Sequence, residues 1–198
     1  MTVSGRTSPH GILQPILDRW SPRSFVTEHL PDDVLNCLLE AARWAPSAFN
    51  SQPWRFAWAR NNTPEWEPIF STLSPFNQKW GRSASAILLV ASRENFRRTP
   101  ASPLEESAWH AFDAGAAWAY LALQAHVMGW STHACGGFDR AAARTALNMP
   151  AQLHLHCIVL IGKRGPIEAL PADLQDKEFP RDRVPLAEIC AHGKFSAD

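Results

Sequence analysis

The chain has no surplus of either charge. Nineteen lysines and arginines face nineteen aspartates and glutamates. Nucleic-acid and anionic-membrane partners favour a basic surface, so neither is expected. No apolar run approaches the roughly 20 residues that a helix needs to cross a bilayer. The first ten residues, MTVSGRTSPH, hold no apolar stretch of the kind that marks a secretory leader, and none is expected. Cys37, Cys135, Cys157 and Cys190 lie far apart and form no CxxC pair, which predicts free thiols and a cytoplasmic setting. No GxGxxG follows the first predicted strand and no GxxxxGKS or GxxxxGKT occurs, so dinucleotide fingerprint and P-loop are both missing. GxSxG, HExxH and a carboxylate-rich cation loop are missing too. Tyrosine occurs once, but tryptophan occurs nine times. A surplus of indoles suits a chain that buries large flat surfaces, in a dimer interface or around an aromatic ligand.

With 198 residues, 45% of them hydrophobic, the chain can bury a core of its own and reads as one domain over 1–198. Residues 9–19 predict a short amphipathic helix that Pro15 starts or interrupts. Apolar residues at Leu30, Val34, Leu35, Leu38, Leu39 and Ala42 are spaced by three and four, one face of a helix that runs to about Trp44. Pro46 ends it. Residues 54–60, WRFAWAR, alternate as a strand does. A short helix is expected from Thr63 to Leu73, a polar turn at Asn77 to Trp80, and a buried central strand over Ala86–Ala91. Residues 93–103 read as loop and Leu104–Met128 as the longest helix. From Ala114 to Ala125 that helix is apolar nearly all round, so it belongs in the middle of an assembly, with Gly129 as its C-cap. A strand near Ser131–Ala134, a Gly136-Gly137 turn, a helix over Asp139–Leu147 and a strand over 153–162 follow. The last 34 residues read mostly as wrapping loop, with a helical piece at Leu186–Ile189. Strands and helices mixed in one core predict a layered α/β or α+β domain.

Three features bear on chemistry. The loop APSAFNSQPW over 45–54 offers Ser47, Asn50, Ser51 and Gln52, all uncharged hydrogen-bonding groups, between two stiffening prolines. It suits a flat, polar-edged heterocycle, although an ordinary helix-to-strand turn has the same composition. Arg19 and Arg23 frame Ser21, and guanidinium forks with a hydroxyl suit a phosphate or the electron-rich edge of a ring. Arg181 and Arg183 alternate so that both would point one way in extended chain. A solvated charged edge is the alternative for either pair. His154 and His156 share a strand face beside Cys157, but the spacing supplies no further metal ligands, and no metal is expected. Nothing in the sequence lowers the pKa of Cys135, which reads as pocket lining.

Several stretches together resemble the nitroreductase superfamily of FMN-dependent oxidoreductases: RWSPRSF at 19–25, LLEAARWAPSAFNSQPWRF at 38–56, FNQKW at 76–80, HAFDAGAAWAYLALQAHVMGW at 110–130, HACGGFD at 133–139, VLIGKRG at 159–165 and PRDRVPLAEI at 180–189. They occur in the family's order over nearly the whole chain. The resemblance implies an α+β fold with a mixed central sheet flanked by helices, and a homodimer built around the long central helix with two FMN sites at its interface. Arg19, Trp20, Ser21 and Arg23 match the first FMN-binding segment, with Arg23 toward the pyrimidine edge. Pro46, Ser47, Ala48 and Asn50 match a loop that the family contributes from the partner subunit, and Gln52 lies just beyond. Asn77 matches a flavin-contacting asparagine. Gly136 and Gly137 match the turn near flavin N5, and Arg181 and Arg183 match a late basic pair at the phosphate. The flavin would carry the chemistry, so no catalytic side chain is assigned. Trp44, Phe76, Trp80, His110 and Cys135 are the substrate-pocket candidates.

The implied activity is ping-pong transfer from NADH or NADPH through FMN to a nitroaromatic, a quinone or another conjugated acceptor. A flavin oxidase or dehydrogenase that desaturates a metabolite, and a non-catalytic flavin-binding protein, are the alternatives. Departures from the family pattern bear on flavin tuning. Gly136 stands where some members have glutamate and Trp80 where some have lysine. Ala48 removes the second hydroxyl of the family's Pro-Ser-Ser loop. The tail after Ile189 is short, so the arm exchange of longer members is expected to be reduced.

Overall fold

Strand pairing sets residues 86–93 between two partners, and the remaining layers follow from them. A computed structural model describes residues 5–195. The expectation of no leader falls partly on residues 1–4, which lie outside the described residues. In chain order the elements are α1 (Gln14–Asp18), β1 (Phe25–Val26), α2 (Asp32–Arg43), β2 (Trp54–Arg60), α3 (Trp66–Phe70) and α4 (Pro75–Gly81). Then come β3 (Ala86–Arg93), β4 (Asn95–Phe96), β5 (Glu105–Glu106), α5 (His110–Val127) and β6 (Ser131–Cys135). The last are α6 (Arg140–Ala146), β7 (Leu153–Arg164), α7 (Ala172–Gln175) and α8 (Leu186–Ile189), with short 3-10 turns at Ala48–Asn50 and Ile167–Ala169.

The main sheet runs β1-β7-β3-β2, and β6 also pairs with β7. Because side chains alternate along a strand, β3 feeds two cores. Ile87, Leu89 and Ala91 pack with Trp66, Phe70 and Trp80 on one face. Ala86, Leu88 and Val90 pack with Leu35, Leu38, Ala117 and Leu121 of α2 and α5 on the other. Helix, sheet and helix therefore form three layers, and the predicted α+β class holds. The expected mixed sheet does not: each pairing among the described residues is antiparallel. Residues 176–195 add no further strand.

Other expectations need correction. The polar turn expected at Asn77–Trp80 is helix α4, because Ser74 Oγ accepts the Asn77 N–H at 3.4 Å and Pro75 starts the first turn. The long helix begins at His110, not Leu104, since Glu105–Glu106 pairs with Asn95–Phe96. That hairpin also replaces part of the loop expected over 93–103. The first helix is confined to α1, where Pro15 starts the turn, and the helix expected over 63–73 is confined to α3. The central strand, α8 and the Gly129 cap at φ +73° are as read. A Cβ on Gly165 would meet Ser24 Oγ at 2.8 Å and the Phe25 carbonyl carbon and oxygen at 3.0 Å. Backbone retreats poorly, so Gly165→Ala is expected to cost about 1–3 kcal/mol in urea unfolding.

Candidate functional site

The chain leaves α1 extended at Arg19, and this carries Arg19 and Ser21 to the wall of a groove of about 1360 Å³. Arg183 from the tail lines the same groove, and Trp118, Ala122 and Leu123 of α5 supply apolar wall. Arg19 Nη1 donates to Ser21 Oγ at 3.5 Å. Burial, then Arg183, then Arg6 lowers the Arg19 pKa. Cations held together while partly out of water favour an incoming anion. Arg181 is not among the groove-lining residues; its carbonyl accepts from Arg183 Nη1 at 3.0 Å, so the late pair does not converge as two parallel charges.

Arg23 takes a different environment. Its backbone N–H and that of Ser24 donate to Glu178 Oε1 at 2.7 and 2.8 Å. Its Nη1 stands 3.9 Å from Glu178 Oε2, while its Nε is buried without a hydrogen-bond partner. Glu178, absent from the sequence reading, thus sets the charge beside Arg23; its only advance signal was a tail acid within three residues of Arg181. His133 Nδ1 lies 2.9 Å from the Pro22 carbonyl, which can only accept, so Nδ1 carries the proton. Burial, with Arg23 nearby, pushes its pKa down to about 4.

Buried Asn77 donates from Nδ2 to the Gly137 carbonyl at 2.9 Å, and Ser74 N–H donates to the same oxygen at 3.0 Å. A Cβ on Gly137 would press on both side chains at 3.2 Å, whereas Gly136 has open space. Trp20 is half-buried and off the groove wall.

The 46–52 loop lies elsewhere. Ala48 N–H donates to Asp113 Oδ2 at 3.2 Å, at the N-terminal end of α5, and Ser47 Oγ accepts from Gln52 N–H at 3.0 Å. Phe49, Asn50 and Gln52 take φ of 54°, 53° and 46°. Side chains with a Cβ rarely adopt this left-handed conformation, at about 1–3 kcal/mol each. Phe49 stacks on Phe96 at 5.6 Å with Arg98 4.8 Å from its ring. From Asp113 to the groove wall at Ala119, α5 rises roughly 9 Å. Pro46, Ser47, Ala48, Asn50 and Gln52 therefore stay off the arginine groove within one chain.

The pocket candidates scatter. Trp80 and Cys135 stand in the core with Phe25 and Phe70, because β6 alternation turns Cys135 inward. Burial drives the Cys135 thiol up to about 12 and the Cys157 thiol up to about 11. Phe76 is exposed. Trp44 is exposed too, its indole N–H held by Glu40 at 2.8 Å. His110 joins a cluster that the sequence did not reveal: Ser92 Oγ lies 2.7 Å from His110 Nδ1 and 2.6 Å from His156 Nε2. One hydroxyl proton serves one ring, and the other ring donates to the oxygen. Among the described residues no group of three or more histidines, cysteines or acids is arranged to hold a metal ion.

A profile of the nitroreductase family matches residues 16–65 and 61–163. The chain belongs to the nitroreductase family. A crystal structure described as an oxidoreductase containing FMN is similar to it over 100% of both chains, with 38% identity and a TM-score of 0.94. An NADH dehydrogenase of Thermus thermophilus is 24% identical over 200 residues, covering 87% of this chain and 91% of that protein. A Methanothermobacter thermautotrophicus protein named as an NADH dehydrogenase/NAD(P)H nitroreductase is 32% identical over 59 residues. That match covers 30% of this chain and 31% of the relative. The sheet and helical layers described above are thus those of nitroreductase-fold structures.

Proposed function

We propose that this nitroreductase-family chain is an FMN-dependent oxidoreductase. It takes electrons from NADH or NADPH and delivers them to a nitroaromatic, a quinone or another conjugated acceptor. The observation that carries the reading is the joining of Arg19, Ser21 and Arg183 in one groove with the apolar flank of α5. Two guanidinium groups and a hydroxyl fit a phosphate on a polyol chain, and the apolar flank fits a flat ring. Arg23, with its buried and unpartnered Nε, is the candidate for the pyrimidine edge, its charge moderated by Glu178. Gly136 leaves open space beside that turn. When bound, the flavin supplies the redox chemistry. The chain's own residues bind it, orient it and limit the water around it.

The working form is a homodimer. The outward side of α5 leaves Phe112 75% and Tyr120 46% exposed, next to small exposed residues Gly115 and Ala119. Such a face buries well against a second copy. The 46–52 loop would then serve the groove of the partner subunit, since it does not reach its own. No helix among the described residues is long and apolar enough to cross a membrane, and a cytoplasmic location is part of the same reading.

The test is an absorbance spectrum of the purified protein, identification of the cofactor released by heat, and anaerobic addition of NADH and NADPH. Flavin bands, released FMN and bleaching by one nucleotide are expected. Bound FMN that neither nucleotide bleaches would overturn the reductase reading in favour of a binding protein or an oxidase.

A further inference from the structure

Residues 5–10 lie along the arginine groove, and nothing in their sequence pointed there. Gly5, Arg6 and His10 form part of its wall. Arg6 Nη2 donates to the carbonyl of Arg19 at 2.8 Å, and Arg6 Nη1 donates to the carbonyl of Arg181 at 3.4 Å. Those carbonyls belong to the first and the last of the basic segments. One planar guanidinium thus bridges two backbone segments, beside the tie that Glu178 makes to the Arg23 and Ser24 N–H groups. The tail from Arg181 to Phe195 is exposed throughout.

The surrounding charges are specific. Burial and then Arg183 oppose the charge of Arg6, and Asp18 and Asp182 support it. Among the groove-lining residues, Arg6, Arg19 and Arg183 against Asp182 leave two positive charges in excess, and Asp18 stands off the wall. His126 also faces this cluster, and burial favours its neutral form.

We propose that Arg6 is a positioning residue that fastens the Arg181–Arg183 segment to the Arg19–Ser21 segment and so shapes the phosphate end of the flavin groove. The proposal rests on the reading of this groove as the FMN site. A guanidinium fork can serve two carbonyls at once; an ammonium keeps the charge without the fork. The phosphate-dependent share of flavin affinity therefore depends on Arg6, and the ring-dependent share does not.

The experiment is equilibrium titration of the flavin-stripped full chain with FMN and with riboflavin, which has no phosphate, for wild type, Arg6→Ala and Arg6→Lys. Arg6→Ala is expected to weaken FMN by about tenfold, the scale of one charge-assisted contact. Riboflavin affinity is expected to stay within about twofold, and it also reports whether the variant has kept its fold. Arg6→Lys is expected to behave like Arg6→Ala. Equal losses for both flavins, unchanged FMN affinity, or full rescue by lysine would each overturn the positioning role while leaving the FMN site standing. A wild-type chain that binds neither flavin would overturn both readings.

Discussion

Arg19→Ala is expected to raise the FMN dissociation constant by about one to two orders of magnitude, while making the flavin-free protein no less stable. The two halves of this result share one cause. Arg19 is partly buried and sits against Arg183 and Arg6, so its charge is held at a cost in the bare protein. An arriving phosphate converts that cost into attraction. A hydrogen bond to a charged group contributes roughly 1.5–3 kcal/mol, and each 1.4 kcal/mol is tenfold in affinity. The Arg19→Ala/Arg183→Ala pair is expected to lose more than either variant alone, but less than the sum, because each cation relieves the other. Equilibrium FMN titration and thermal unfolding of the stripped protein check the two halves. Undiminished FMN affinity in the double variant would remove the anion site from this groove.

Acidification is expected to destabilise the fold well before its carboxylates titrate. His133 has a folded pKa of about 4 because burial disfavours its charged form, whereas an unfolded histidine titrates near 6.5. Between these values the unfolded chain binds a proton that the folded chain refuses. Stability is thus fully present above pH 6.5 and drains as pH falls toward 4. For His133 the loss from pH 6.5 to 4.5 is about 2 kcal/mol. His156, also pushed to about 4, adds to it, by less than its full shift because its surroundings are wetter. Asp113 works in the opposite sense: burial raises its pKa, so its ionised form costs stability at higher pH and protonation relieves it. Urea unfolding at pH 7.5 and 4.5 measures the sum. His133→Gln keeps a donor for the Pro22 carbonyl and is expected to flatten the slope; an unchanged slope would mean that His133 is not its source.

Long periodic segments were legible in the sequence, and short ones set by capping or pairing were not. The three-and-four spacing from Leu30 to Ala42 and the alternation of 54–60 gave α2 and β2 almost to the residue, since burial alone specifies them. Helix α4 was hidden because Asn77, Gln78 and Lys79 read as a turn; its true signal was the Ser74-Pro75 start. Hairpin β4–β5 depends on backbone pairing between Asn95–Phe96 and Glu105–Glu106, which no side-chain period announces. In the groove, Arg19, Ser21 and Arg183 could be anticipated from residue type, whereas Arg6 and Glu178 could not, because their roles arise from backbone groups brought close only by the fold. The left-handed φ of Asn50 suits its residue type, but that of Phe49 does not. A tie such as Ala48 N–H to Asp113 is what holds that loop in place.

The thiols of Cys135 and Cys157 have a chemical consequence. Cys135 and Cys157 stay protonated at neutral pH, with their acidities suppressed by burial. Alkylation by an electrophilic carbon proceeds through thiolate. Under the proposed function, quinones and other conjugated acceptors would bring such electrophiles to the chain at every turnover. Buried Cys135 and half-buried Cys157 thus hold sulfur in a form that such compounds attack slowly, whereas the exposed Cys190 is expected to be alkylated first.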